Sequence, residues 1–151
     1  MSLHSYSKCW THLIWGTLNH EKTINREDRI ALSQYLYEYS EEKKIYVKIN
    51  YVIANHVHVL YDQLTNLTIE DVAKLYKGSS SYWFNNKSGS KVKLLWGRGY
   101  GAFSVSPSNL DKVCKYIANQ EEHHKKVTFE EEFNKFLKAY GVAKTVETVT
   151  I

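Results

Sequence analysis

The chain has 151 residues, of which 43% are hydrophobic and one is proline, a composition that excludes a disordered chain. This length predicts one domain over residues 1–151. The net charge of +4 mildly favours binding to polyanions. Cys9 and Cys114 have no metal-like spacing, which indicates reduced thiols. The start is not a secretory signal, and no stretch reaches the roughly 20 apolar residues of a membrane span. We therefore expect a soluble, cytoplasmic protein.

The first half of the chain predicts the order strand, helix, strand, strand. Cys9–Leu18 is rich in aromatic and branched residues, as strands are. Asn25 is placed to cap a helix that ends near residues 42–44. The next segment, 45–53, alternates as a strand does, and we expect one face to carry Ile45, Val47, Ile49, Tyr51 and Ile53. After a tight turn, His56–Asp62 continues as an antiparallel third strand.

The second half predicts one more helix and strand, followed by two further helices. Thr68 and Asp71 form the start signal of a helix, and the glycine-rich segment 95–106 ends in a strand. A helix then follows over Asp111–Lys126, and the last one begins at Thr128 and ends at Gly141. The tail after about residue 141 has no assignment. The order β-α-β-β-α-β predicts an α+β, ferredoxin-like (RRM-like) fold with a four-stranded antiparallel sheet, plus two C-terminal helices.

The helix predicted over residues 111–126 carries a tyrosine and several polar side chains on one stripe. Positions three and four apart share a helix face, so this stripe contains Tyr116, Asn119, Gln120 and His123. The apolar stripe beside it contains Leu110, Val113, Cys114 and Ile117. We therefore expect Tyr116 and Gln120 at the rim of the packed surface, where the phenol can face a partner across a cleft.

His56 and His58 are two apart on the third strand, so both imidazoles point to the same face, roughly 7 Å apart along the strand. One divalent ion can span them, and the Gln120 amide oxygen can complete a set of two nitrogens and one oxygen. A phenol such as Tyr116 can be a covalent nucleophile, helped by a metal on the electrophile. Taken alone, each pattern is more common on an ordinary sheet face or a packed helix.

Several segments together resemble one known family. HVHVL (56–60) is similar to the His-hydrophobe-His motif of HUH endonucleases. YIANQEEHHKK (116–126) and TFEEEFNKFLKAYG (128–141) resemble the tyrosine helix and C-terminal helix of single-tyrosine IS200-like transposases, the insertion-sequence 200/605 type. KGSSSYWFN (77–85) and GYGAFSVS (99–106) are further shared blocks, so the resemblance extends from the first strand to about Gly141.

The resemblance implies the roles of four residues. His56, His58 and Gln120 would be ligands of a divalent metal, Mg²⁺ or Mn²⁺, and Tyr116 would be the nucleophile. The implied reaction cleaves and rejoins single-stranded DNA at hairpin-bearing ends through a 5′-phosphotyrosine and needs no ATP. The family's proteins are homodimers in which the tyrosine helix acts in trans. Excising an element needs two cuts and the motif supplies one tyrosine, which also favours a dimer, but the residues leave cis and trans sites open. The protein would be cytoplasmic and associated with the nucleoid when bound to DNA.

One departure from the family and several weaker candidates remain. Asn55 precedes the first histidine, where aspartate is expected in many relatives, so a negative charge beside the metal is lost. The candidate DNA contacts are Lys74, Lys77, Ser79, Ser80, Arg98, Tyr100 and His123. For the lysines and serines, a solvated helix face is the alternative interpretation.

Alternative functions are open at this stage. Two share the chemistry: a domesticated repeat-associated tyrosine transposase and a replication-type HUH nickase. The third is a non-catalytic single-stranded DNA-binding module, which would have no need of the complete set His56, His58, Gln120 and Tyr116.

Overall fold

The computed structural model describes residues 4–142, and its centre is a four-stranded antiparallel sheet. The strands are β1 (Trp10–Gly16), β2 (Val47–Ile53), β3 (His56–Asp62) and β4 (Gly101–Ser104), in the order β2-β3-β1-β4. β1 pairs with β3 and β4, and β2 pairs with β3. The predicted ferredoxin-like sheet is therefore confirmed. The part of the unassigned tail beyond residue 142 lies outside the described residues.

Five α-helices are seen within residues 4–142. They are α1 (Arg26–Glu42), α2 (Ile69–Asn86), α3 (Leu110–Ala118), α4 (Gln120–His123) and α5 (Phe129–Ala139). The predicted caps are present, because the side chains of Asn25, Thr68 and Thr128 each accept a hydrogen bond from the backbone N–H three residues on. No helix in this part of the chain is both long and apolar enough to cross a membrane.

The sheet is covered on both faces, and strand alternation decides which side chains meet which helices. Val57, Val59 and Tyr61 of β3 belong to the main core, with residues of α1 and α2. His56, His58 and Leu60 alternate with them, and Leu60 packs with Ile117 of α3. Beside that contact, α5 packs through its aromatic residues on β1 and β4. The two histidines thus lie under the C-terminal helices.

β2 departs from its predicted pattern. Val47 packs with the main core, whereas Ile49 and Tyr51 pack with Leu60 and Ile117 on the other face. The prediction that the alternate residues of 45–53 all share a face is therefore wrong. The cause is a register shift in the β2–β3 ladder between Val47 and Ile49, since one extra residue reverses which side chains point to a given face.

The prediction of a single helix over Asp111–Lys126 is also wrong, because the helix is interrupted at Asn119. The backbone of Asn119 has φ −100° and ψ 23°, and its N–H reaches the carbonyl oxygens of both Lys115 and Tyr116. Asparagine tolerates such a break because its side chain competes with helical backbone bonding. After the break, Gln120 is fully buried instead of lying at the rim.

Candidate active site

The histidine pair on β3 forms the floor of the candidate site. His56 and His58 are both fully buried, and their ring centroids lie 5.0 Å apart. The ring of His56 stacks on Phe129 of α5 at 4.2 Å between centroids, which fixes its plane. Two imidazoles that project from one strand face, with no access to solvent, need polar partners from the elements above them.

The tyrosine and the glutamine come from α3 and α4 of the same chain. The amide oxygen of Gln120 lies 3.4 Å from His56 Nε2. The ring of Tyr116 meets His58 edge to face, with 6.2 Å between centroids. The four residues that the sequence singled out, His56, His58, Tyr116 and Gln120, are therefore brought together within one chain.

Glu132 of α5 occupies the centre of this cluster, and sequence reasoning missed it. The residue is 2% exposed. The Oε1 atom lies 3.3–3.4 Å from the Nε2 atoms of three histidines, His56, His58 and His124. The Oε2 atom accepts hydrogen bonds from the Tyr116 hydroxyl and, at 3.2 Å, from Gln120 Nε2. The two carboxylate oxygens thus connect the histidines to the tyrosine.

A sequence signal for Glu132 existed in the pattern of α5. Phe129, Phe133 and Phe136 recur at helical spacing, and Glu132 lies three residues after Phe129 and four before Phe136, on the same stripe. A carboxylate within an apolar stripe is rarely left unpaired when buried. His124 and His12 offered no comparable signal, because only the folded chain brings them to the pair on β3.

Hydrogen bonds on the far side of two rings set their tautomers. His56 Nδ1 lies 2.8 Å from Asn55 Oδ1, and the other end of that amide donates to the carbonyl of His20. His124 Nδ1 lies 2.7 Å from the carbonyl oxygen of Val127. Both partners are acceptors, so Nδ1 carries the proton in each ring, and in the neutral ring Nε2 presents a lone pair to Glu132.

The third ring, His58, has a histidine behind it. His12 of β1 is buried, and its Nε2 lies 2.8 Å from His58 Nδ1. Burial, followed by the neighbouring His58, holds the pKa of His12 well below 6.5. His12 is therefore a neutral partner that orients His58 from behind.

Burial also controls the protonation of the groups in the cluster. It lowers the pKa of His56 to about 3, although Glu132 acts in the opposite direction. Burial would raise the pKa of Glu132, but the neighbouring imidazoles of His124, His56 and His58 outweigh burial, and the pKa is lowered. Burial, and then the Glu132 carboxylate, raise the pKa of Tyr116 well above 10.0. The phenol is therefore protonated at neutral pH.

Two openings lead to Tyr116. A small cavity of about 230 Å³ lies between Tyr116, Glu132 and Phe136. A larger groove of about 510 Å³ contains Tyr116 and His123 and is bordered by the lysines Lys112, Lys115 and Lys126. His123 Nε2 lies 3.4 Å from the tyrosine hydroxyl. Tyr116 thus lines a groove that carries three lysines and Glu122, and these lysines were not among the predicted DNA contacts.

Of the predicted DNA contacts, only His123 lies at the site. Lys74, Lys77, Ser79 and Ser80 belong to α2, which packs on the opposite face of the sheet. Lys77 Nζ donates to the carbonyl oxygens of Gly97 and Gly99, 2.8 Å away in each case. Ser80 is fully buried and accepts a hydrogen bond from Trp96.

Lys74, Arg98 and Tyr100 are dispersed. Lys74 is exposed and pairs with Glu70 one turn away. Tyr100 packs against the main core, and Arg98 is exposed in the glycine-rich turn beside it. These side chains therefore lie on α2 or in the glycine-rich turn, and not beside the histidine pair.

The fold and the candidate site occur together in this chain. In a ferredoxin-like sheet, the strand that carries the two histidines faces the buried amide of Gln120 and the tyrosine on α3. The sequence profile described as "Transposase IS200 like" matches residues 5–120. The chain belongs to this family of transposases.

Solved structures support the same fold. A protein from Deinococcus radiodurans R1 assigned as a transposase is 23% identical, with a TM-score of 0.63, over 80% of this chain and 96% of the other. A REP-associated tyrosine transposase bound to a REP hairpin is 12% identical, with a TM-score of 0.59, over 100% of this chain and 95% of the other. A comparison with curated protein sequences finds no match.

Proposed function

We propose that this chain is a DNA transposase that cleaves and rejoins single-stranded DNA through a phosphotyrosine intermediate, with a divalent metal. The observation that carries the proposal is the convergence of His56, His58, Gln120 and the Tyr116 hydroxyl in one cluster. A binding module has no use for a tyrosine hydroxyl that is hydrogen-bonded to a buried carboxylate beside paired imidazoles.

The residues present fit a metal ion. His58 Nε2, His124 Nε2 and Glu132 Oε1 are buried without a hydrogen-bond partner, and buried polar atoms in that condition are suited to bind a cation. His56 and His58 would hold the ion, with the Gln120 amide oxygen beside His56. When bound, Mg²⁺ or Mn²⁺ would withdraw charge from an oxygen of the scissile phosphate and so assist nucleophilic attack.

The step at Tyr116 follows from its hydrogen bond to Glu132. The phenolic oxygen attacks phosphorus, its proton passes to the carboxylate oxygen that already accepts the hydrogen bond, and a new oxygen–phosphorus bond forms. The bond between phosphorus and the 3′-oxygen of the upstream nucleotide breaks, and that oxygen takes a proton from water to leave as a 3′-OH. The 5′-phosphate remains on Tyr116. Attack by a 3′-OH on this linkage reverses the step and rejoins DNA without ATP.

The DNA strand would approach along the basic groove. Lys112, Lys115 and Lys126 border the groove at Tyr116, and lysines next to a polyanion bind phosphates in a sequence-independent way. A hairpin-bearing end as the substrate is supported by the similar structure of a tyrosine transposase on a REP hairpin. Activity on such DNA would place the protein in the cytoplasm, at the nucleoid when bound.

The oligomeric state is part of the proposal. The chain by itself brings Tyr116 to its own histidine pair, which is a cis arrangement. We propose a homodimer, because two cuts need two nucleophiles, in which the tyrosine helix serves the partner's site after release from its own. A mixture of Tyr116→Phe and His56→Ala chains tests this, since activity returns only if sites assemble in trans. Mixed dimers that stay inactive would contradict the trans site.

The decisive test of the chemistry is a cleavage assay on end-labelled single-stranded hairpin DNA with Mg²⁺ or Mn²⁺. We expect a covalent protein–DNA adduct that disappears in Tyr116→Phe and in EDTA. Tyr82→Phe is the matched control, because Tyr82 is exposed on α2, away from the site. An adduct that persists in Tyr116→Phe would rule out the nucleophile. Tight binding without cleavage of any hairpin would favour the non-catalytic module.

A further inference from the structure

We propose that the metal centre of this chain is formed by four ligands, the buried His56, His58 and Glu132 and the partly buried His124, and that it selects a first-row transition ion over Mg²⁺. This deepens the proposed function and rests on it for the role of the ion. The family resemblance implies only His56, His58 and Gln120, so His124 and Glu132 are additions that the folded chain supplies.

The geometry around Glu132 Oε1 supports the four-ligand set. This oxygen lies 3.4 Å, 3.3 Å and 3.3 Å from the Nε2 atoms of His56, His58 and His124, and all four ligand atoms lie within 4.8 Å of one another. A tetrahedral ion with bonds of about 2.1 Å has ligand–ligand edges of about 3.4 Å, since the edge is 1.63 times the bond length. The three oxygen–nitrogen spacings already match those edges.

The tautomers point the right atoms inwards. His56 Nδ1 and His124 Nδ1 lie beside acceptors, Asn55 Oδ1 and the Val127 carbonyl oxygen, so the Nε2 atom of each ring is the one that faces Glu132. A carboxylate oxygen also offers lone pairs, and acceptors that face one another in a buried space repel unless a cation lies between them. In metal sites, the second ring nitrogen of a ligating imidazole commonly forms such a hydrogen bond, which orients the ring towards the metal.

The unpartnered atoms are the same ones. His58 Nε2, His124 Nε2 and Glu132 Oε1 are buried without a hydrogen bond, although Glu132 Oε2, on the same carboxylate, has partners. One cation at a single point would be a partner for all three atoms. The carboxylate would also offset one of the two positive charges of the ion, which is needed where solvent is excluded.

The donor set decides which ion is preferred. Three imidazole nitrogens and one carboxylate suit Zn²⁺, Co²⁺ or Mn²⁺, whereas Mg²⁺ favours oxygen ligands and keeps several waters. Four protein ligands would replace most of that hydration shell, and the ion would expand to a fifth ligand when an oxygen of the scissile phosphate binds, as ions in catalytic sites can. Transition-ion preference is therefore a consequence of adding His124 and Glu132 to the histidine pair.

Metal binding by the full chain tests the ligand assignment without DNA. Co²⁺ is titrated into metal-free protein and followed by visible absorption, with competition by Zn²⁺, Mn²⁺ and Mg²⁺. We expect one Co²⁺ per chain and a loss of affinity greater than about 100-fold in Glu132→Gln, in His124→Gln and in His56→Ala, because losing a ligand should exceed the 10–100-fold cost of losing its outer partner. Glu130→Gln is the matched control, as Glu130 lies exposed on the same helix. Thermal unfolding of each metal-free variant shows that it is folded.

Two results would overturn the assignment. The first is that the Glu132→Gln and His124→Gln chains bind Co²⁺ as tightly as the unaltered chain, while the His56→Ala chain does not. The ligands would then be His56, His58 and Gln120. An unaltered chain that binds no transition ion more tightly than Mg²⁺ would mean that protons hold the cluster together. The adduct assay is separate: metal binding that depends on Glu132 without any DNA adduct would refute the proposed function and leave the ligand assignment intact.

Discussion

Gly101→Ala should damage the candidate active site without touching any of its residues. Gly101 begins β4, beneath α5, and a Cβ atom built there would lie 2.5 Å from Phe133 Cε2 and 2.9 Å from Phe103 Cε2. Phe133 is the residue after Glu132 and is 5% exposed in the cluster that attaches α5 to the sheet. The added methyl group therefore pushes on the helix that carries the central carboxylate.

The expected size follows from these distances. Ordinary van der Waals contact begins at 3.4 Å, so the Phe133 ring must retreat by about 0.9 Å (3.4 − 2.5). Overpacking a core in this way costs about 1–3 kcal/mol of unfolding free energy. If α5 moves with its ring, Glu132 Oε1 leaves the 3.3–3.4 Å spacing to the three histidines, and a misplacement near 1 Å lowers the rate of adduct formation by about 100-fold.

The expected direction of the stability change makes the test sharp, because alanine in a strand normally stabilises a protein relative to glycine by about 0.5–1 kcal/mol. Here the substitution should destabilise it. Chemical denaturation measures stability, and the rate of adduct formation on hairpin DNA measures the site. Gly78→Ala is the control, since a Cβ there meets nothing within 4 Å and the helix should gain stability. Gly101→Ala combined with Phe133→Leu should recover part of both losses. A Gly101→Ala chain with unchanged stability and rate would refute the close seating of α5.

Two further predictions concern the partners behind the histidines. Asn55→Ala removes the acceptor of His56 Nδ1–H, so Co²⁺ affinity measured by titration should fall about 10–100-fold while unfolding remains cooperative; an unchanged affinity would mean that Asn55 does not orient the ring. His12 has a lowered pKa in the folded chain and 6.5 when unfolded, so below pH 6.5 only the unfolded chain takes up this proton. Between pH 7.5 and 5.5, His12 should therefore lower the unfolding free energy of the metal-free protein by about 1.4 kcal/mol. In His12→Gln the measured decrease should be smaller by that amount. An equal decrease in both chains would exclude His12 as the source.

The elements of the fold were readable because each rests on local physics. Side chains two apart on a strand point the same way whatever surrounds them, so His56 and His58 had to share a face. Asn25, Thr68 and Thr128 satisfy the first N–H groups of their own helices, so the helix starts needed no tertiary information. The two errors, in β2 and at Asn119, arose where a register shift or a helix break interrupts a period that short-range reasoning extends.

The sequence by itself determined the order of elements, the paired histidines and the presence of a tyrosine and glutamine one turn apart. Only the tertiary structure decided what those groups meet. Glu132 is 74 residues from His58 along the chain (132 − 58), and its position over the pair depends on how α5 packs on β1 and β4. His124 reaches the same oxygen only after the chain turns beyond α4. No periodicity encodes such convergence, because it depends on the packing of whole elements and on the cost of leaving a buried carboxylate unpaired.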